Sequence, residues 1–307
     1  FDGILPSADA PPPPVADDGN RWRELWREYR RSHRAMVALA VFVLLIVAAL
    51  AAPLFAPQNP YDQALLSLMD ARLPPGSVGS GGYTHWLGTD AQGRDVLSAI
   101  FWGLRTSLFV GAAAGVVALC IGTTVGLAAA FFGGRVELAL MRLVDLQLSF
   151  PAILLALVLV AILGQGLFQV VAALVAAQYA YFARTVHGAA LSERRKEYIE
   201  AASGIPLRPT RVVLRHLLPN CLPPLIVVAT VQVANAIAIE ATLSFLGVGM
   251  PVTEPSLGTL IANGFQFMLS GRYWISVYPG IALLIVIVAI NLVGDQLRDV
   301  LNPRLRK

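Results

Sequence analysis

Charge is what this sequence has least of. Asp, Glu, Lys and Arg supply 14% of its 307 residues, while hydrophobic residues supply 56%. Ordinary soluble domains carry roughly 25% charged residues, so the chain lacks the polar surface that would keep it in water. Cysteine is nearly absent: Cys120 and Cys221 both lie in or beside apolar runs. That excludes a disulfide framework, leaves too few ligands for a metal site and predicts two buried structural thiols. The four histidines, His33, His85, His187 and His216, are far apart and show no metal-ligand spacing. The chain has no Gly-x-x-x-x-Gly-Lys-Ser/Thr loop, so it does not hydrolyse ATP by that route. Gly-x-Ser-x-Gly and His-Glu-x-x-His are missing too. A membrane enzyme is therefore disfavoured. The net charge of +4 does not imply a nucleic-acid partner, because the basic residues cluster at the ends of apolar runs.

Long apolar runs are what the sequence does have, and they predict an all-α membrane protein with about six transmembrane helices. Residues 35–56 hold no charge and would form roughly 33 Å of helix at 1.5 Å per residue. A second uncharged stretch, 106–134, ends at the turn signal Gly133-Gly134. The third stretch, 146–183, is too long for one helix, and Gly164-Gln165-Gly166 splits it into spans of about 143–163 and 167–187. A fifth span is expected over 222–246 and a sixth within 273–294. Residues 1–20, with Pro11 to Pro14, read as a disordered tail and lack the layout of a signal peptide. A start at Phe1 predicts that the natural beginning was cut or renumbered. Residues 21–34 place Trp22, Leu25, Trp26 and Tyr29 on one helical face with arginines on the others. That pattern predicts a basic amphipathic helix in the lipid headgroup region, before the first span.

The arginines orient the spans. With the Arg21–Arg34 end in the cytoplasm, 18 of the 23 basic residues fall on that side, whereas Arg72, Arg94, Arg105 and Arg272 fall outside. Both termini are then cytoplasmic. The expected organisation is an extracytoplasmic loop over 57–104, a five-helix core over 105–297 with a cytoplasmic loop at 191–219, and a tail at 298–307. Polar residues inside the spans are candidates for a substrate pathway, because their burial in lipid is costly. Gln232 and Asn235, three apart, share a face and either line a cavity or bond between helices. Glu240 either meets a peptide ammonium or pairs with Arg105 or Arg272. Asp145 is expected to pair with Arg142, one turn away.

The most informative segment is SERRKEYIEAASGIPLRPTRVVLRHLLPN, residues 192–220. Ala201-Ala202-Ser203 would let another protein approach the backbone closely, and Glu200 with the flanking arginines would pair across that contact. Glu200-Ala201-Ala202 followed at the matching distance by Leu218-Pro219 resembles the "EAA" loop of binding-protein-dependent ABC importer permeases. In that family the loop runs Glu-Ala-Ala, three residues, Gly, nine residues, Ile-x-Leu-Pro. Here Pro206 stands in place of Gly, His216 in place of Ile, and Gly204 comes two residues early. The outer segment His85-Trp86-Leu87-Gly88-Thr89-Asp90-Ala91-Gln92-Gly93-Arg94-Asp95-Val96-Leu97-Ser98 narrows the resemblance to the C-type permease subunit of dipeptide and oligopeptide importers. So do Leu243 to Gly249, Pro255 to Gly258 and Asn291 to Asp299.

That resemblance implies the type I ABC importer permease fold and a place in a bacterial cytoplasmic (inner) membrane. It implies three kinds of partner besides membrane lipid: a sister permease, two ATPase subunits and an extracytoplasmic substrate-binding protein. ATP and Mg would sit on the ATPases, leaving this chain without cofactor, metal or catalytic residues. Glu200, Ala201, Ala202, Ser203, Gly204, Pro206 and Arg208 would couple to the ATPases, and Asp90, Arg94 and Asp95 would face the binding protein. The alternative is a secondary transporter or channel working without ATPases. It predicts inverted repeats with paired broken helices, and the sequence shows no convincing repeat.

Overall fold

The computed structural model describes residues 18–60, 62, 66–194, 213–251 and 253–301. In chain order its helices are α1 (Asp18–Tyr29), α2 (His33–Leu50), α3 (Ala52–Phe55), α4 (Val96–Phe132), α5 (Gly134–Leu148), α6 (Ala152–Leu163), α7 (Leu167–Arg194), α8 (Leu218–Phe245), α9 (Leu257–Phe265) and α10 (Trp274–Leu301). The small hairpin between α3 and α4 pairs β1 (Ser77–Val78) with β2 (Thr84–His85), antiparallel. By length and composition α2, α4, α7, α8 and α10 can each cross a membrane, and the bent pair α5–α6 supplies a sixth span if counted as one.

Local chemistry sets several boundaries away from where apolar runs alone would put them. Asp95 accepts a hydrogen bond from the Ser98 backbone N–H and so caps α4. The helix therefore starts inside the segment read as outer loop, and its 37 residues make about 55 Å at 1.5 Å per residue. The first span is shorter than its uncharged run. α2 stops at Leu50, and the chain restarts as the single turn α3 with Pro53 in its first turn.

The span expected over 143–163 is instead two helices bent by 90° at a break of residues 149–151. Pro151 has no N–H to continue the ladder and pushes Phe150 out of helical conformation. Within α8, Pro219 occupies the first turn instead of acting as a separate turn, and Pro223 and Pro224 continue the helix.

α4 is the centre of the bundle. On it Gly122 and Gly126 let α7 approach so closely that an added Cβ would meet the Tyr179 and Ala183 carbonyls. Such small-residue contacts replace the hydrophobic drive that lipid removes. Further up the helix, Gly111 and Gly115 receive Ile237 and Val233 of α8. The main core joins Val110, Ala114 and Ala118 of α4 to Val170, Leu174 and Phe182 of α7 and Ala236 and Leu243 of α8. Cys221 is buried there as expected. Cys120 is not: it sits on the exposed side of α4.

α1 splits its aromatic stripe. Tyr29 is buried, donates from its hydroxyl to the Ala35 carbonyl and packs with Leu25 against Val300 and Leu297 of α10. Trp26 stacks on Tyr29 yet stays 49% exposed. The Trp22 side chain lies outside the described ones.

Candidate functional site

The segment 85–98 folds into a compact outer hub. Gly93, at φ +78°, turns the chain where any side chain would strike the Ser67 carbonyl. The Asp90 carboxylate accepts from the backbone N–H groups of Gln92 and Arg94 and from Arg94 Nε at 2.7 Å. Asp95 accepts from both the backbone N–H and the hydroxyl of Ser98 at 2.7 Å, and meets His85 Nδ1 at 3.0 Å. A carboxylate only accepts, so the imidazole proton sits on Nδ1, leaving His85 Nε2 buried without a partner among the described residues. Burial, reinforced by Asp95 and Asp70, pushes the neighbouring Tyr83 phenol above its ordinary value of 10. The hub also holds Gln58, whose side-chain oxygen accepts from the Asp95 N–H. It reaches the start of α10 as well, where Trp274 Nε1 donates to the Thr89 carbonyl.

This geometry corrects the expectation that Asp90, Arg94 and Asp95 face an external partner. All three are at most 3% exposed, and every charged group is used inside the loop. They hold the hub together instead of presenting a docking surface.

A second polar cluster lies between α4, α8 and α9. Glu240 is fully buried. Ser107 of α4 donates to one of its oxygens at 3.1 Å and Ser244 to the other at 2.8 Å. Each serine in turn accepts a backbone N–H: Ser107 from Leu257, at the start of α9, and Ser244 from Met250. Glu240 thus pairs with hydroxyls, not with Arg105 or Arg272, and fastens the α8–α9 connection to α4. Arg105 instead lies over the Trp102 ring.

Gln232 and Asn235 do share a face, and Asn235 Nδ2 donates to Gln232 Oε1 at 2.9 Å. Asn235 is exposed and Gln232 buried, with its Nε2 unpartnered among the described residues. A polar group that sequence reasoning missed is Gln178 of α7, 1% exposed, whose amide has no hydrogen bond among the described residues.

Glu200, Ala201, Ala202, Ser203, Gly204, Pro206 and Arg208 lie outside the described residues, but the flanks of their segment are described. Arg194, ending α7, donates to the Ala130 carbonyl of α4. Nearby, His187 Nε2 meets Glu137 of α5 at 2.8 Å. On the return side, the wide turn Val213–Leu217 leads straight into α8, where Leu217 and Cys221 pack in the same core as Ala190 of α7. The described flanks of segment 195–212 thus belong to one core. Asp145 at this end pairs with Arg184 of α7, not with Arg142: the bridge between helices replaces the one along the helix.

Residues 122–307 match the family described as binding-protein-dependent transport system inner membrane component. The chain belongs to that family. Residues 20–75 of this permease also match the N-terminal TM domain of oligopeptide transport permease C. It is 43% identical over 225 residues, 73% of this chain and 75% of the relative, to a putative peptide transport system permease protein of Brucella suis biovar 1. It is 39% identical to the dipeptide transport system permease protein DppC of Alkalihalophilus pseudofirmus, covering 72% of this chain and 73% of the relative. With the oligopeptide transport system permease protein OppC of Bacillus subtilis the identity is 35%, over 83% and 81%.

Among solved structures, a chain of the MetNI methionine ABC transporter matches with a TM-score of 0.54 at 21% identity, covering 66% of this chain and 96% of that one. That likeness shows the fold of an ABC importer permease. This permease is a multi-pass protein of the bacterial inner membrane.

Proposed function

We propose that this permease is the transmembrane subunit of an ATP-driven importer that moves di- and oligopeptides into the cell. The observation that carries the proposal is the agreement of its relatives: those 35–43% identical over more than 70% of the chain are named as peptide, dipeptide or oligopeptide permeases. The chain pairs with a sister permease, and each permease docks a cytoplasmic loop onto one of two ATPase subunits, where ATP and Mg bind. An extracytoplasmic binding protein delivers the peptide. ATP favours one of two helix packings and hydrolysis restores the other, which is alternating access. The shared core of the α7 end and the α8 start supports the cytoplasmic loop 191–219 as the coupling element, because a force applied there reaches two spans at once.

The test is uptake of radiolabelled di- and tripeptides by cells whose other peptide permeases are deleted, with and without this gene. Uptake is expected to require the gene and the binding protein and to stop when ATP is depleted. Uptake driven by a proton gradient in the absence of ATPase subunits would favour a secondary transporter instead.

A further inference from the structure

One cluster of charge is left unused by the transport reading. Arg23, Arg27 and Arg30 recur at i, i+4 and i+7 along α1, with Arg31 beside them, and together with Trp26 they line a shallow groove. All four arginines are exposed. Among the described residues none of them is in an ion pair, and Arg30 lies over the Trp26 ring at 5.9 Å.

The groove is fixed to the helix bundle. On the opposite face Tyr29 and Leu25 pin α1 to the beginning of α2 and the end of α10. Immediately after α1, α2 turns apolar side chains outward: Val37, Val43, Leu44 and Val47 are each about half or more exposed, as a lipid-facing span requires. The arginines therefore sit at the level where two spans leave the hydrocarbon. Guanidinium groups match phosphate oxygens bidentately, and a half-exposed indole favours the headgroup boundary.

We propose that this groove binds the phosphate of an anionic membrane phospholipid. Arg23, Arg27, Arg30 and Arg31 supply the charge, and Trp26 supplies the contact beside the glycerol backbone. A zwitterionic lipid carries its own ammonium group and gains little from four guanidinium groups, so the site discriminates by headgroup charge. The inference rests on the position of α1 and stands whatever cargo the permease carries.

The test is native mass spectrometry of the full-length chain, released from detergent with phosphatidylglycerol or phosphatidylcholine. The wild type should retain phosphatidylglycerol preferentially. Replacing the four arginines by glutamine (R23Q, R27Q, R30Q, R31Q) should lower that retention about tenfold or more. R27Q alone, too mild to endanger folding, should lower it by roughly fivefold, the contribution of one arginine near an anionic surface. A control that removes the exposed arginines Arg105, Arg135, Arg142 and Arg215 should keep the preference. Equal retention by wild type and the fourfold variant would overturn the proposal.

Discussion

Removing the Asp95 carboxylate should unfasten the outer hub, and the structure allows the cost to be worked out. In Asp95→Ala the cap of α4 loses its acceptor for the Ser98 N–H, a loss typically worth about 1 kcal/mol. The Ser98 hydroxyl and His85 Nδ1 lose the same acceptor. His85, with no exposed surface, is then left with both ring nitrogens unpartnered among the described residues, at about 1–3 kcal/mol for a buried polar group. The sum is a destabilisation of about 2–4 kcal/mol. Asp95→Asn keeps one acceptor oxygen for the cap and should cost about half as much or less. Thermal unfolding of the purified chain, followed by fluorescence-detected gel filtration, would rank the variants wild type, Asn, Ala, in order of falling stability. An Ala variant as stable as wild type, within the roughly 0.5 kcal/mol usual for an exposed site, would refute the structural role. It would return Asp95 to the surface as a partner-facing group.

Three further outcomes follow from particular contacts. Glu240→Ala leaves two serine hydroxyls without acceptors and should destabilise by about 2–5 kcal/mol. Glu240→Gln should cost clearly less in the same unfolding assay, because it keeps an acceptor oxygen. Gly122→Leu drives a side chain into the Tyr179 carbonyl and should cost about 1–3 kcal/mol or more, seen as lower yield of folded protein in the membrane. Finally, a cysteine in place of the exposed Ser80 should react with an impermeant thiol reagent applied to intact cells, while one at position 203 should not. Labelling at position 203 from outside would reverse the orientation that the arginines imply.

The spans were legible because a run of some twenty uncharged residues has few physical outcomes other than a membrane helix. Their ends were not legible. α4 begins ten residues before its uncharged run because Asp95 caps it, and the bend between α5 and α6 hangs on Pro151 inside a stretch that reads as uniformly apolar. The cap itself carried a signal, an Asp immediately before the first apolar residue of a helix. Motif segments marked which residues matter without saying how. Asp90, Arg94 and Asp95 look like a charged outer face in sequence, yet Asp95 is satisfied by Gln58, 37 residues away, and by His85. Glu240 and Ser107 are 133 residues apart, and no local pattern announces that pairing. For Asp145 local spacing suggested Arg142, but packing brought Arg184 closer. Sequence periodicity reports which face a residue is on; it is silent about what the facing helix offers.

If ATPase subunits drive this permease through the cytoplasmic loop 191–219, as proposed, substitutions inside that loop should uncouple it. Ala202→Trp places an indole where close docking needs a small residue, at about 1–3 kcal/mol or more. Glu200→Arg reverses a charge at the same contact. Both residues fall outside the spans expected from sequence, so both variants should reach the membrane in normal amounts. Pull-down of the ATPase subunits and ATP-dependent peptide uptake should be measured together in one reconstituted preparation. Both variants are expected to lose ATPase binding or transport-linked hydrolysis, with uptake falling in step. Wild-type binding and wild-type uptake in both variants would contradict the proposal.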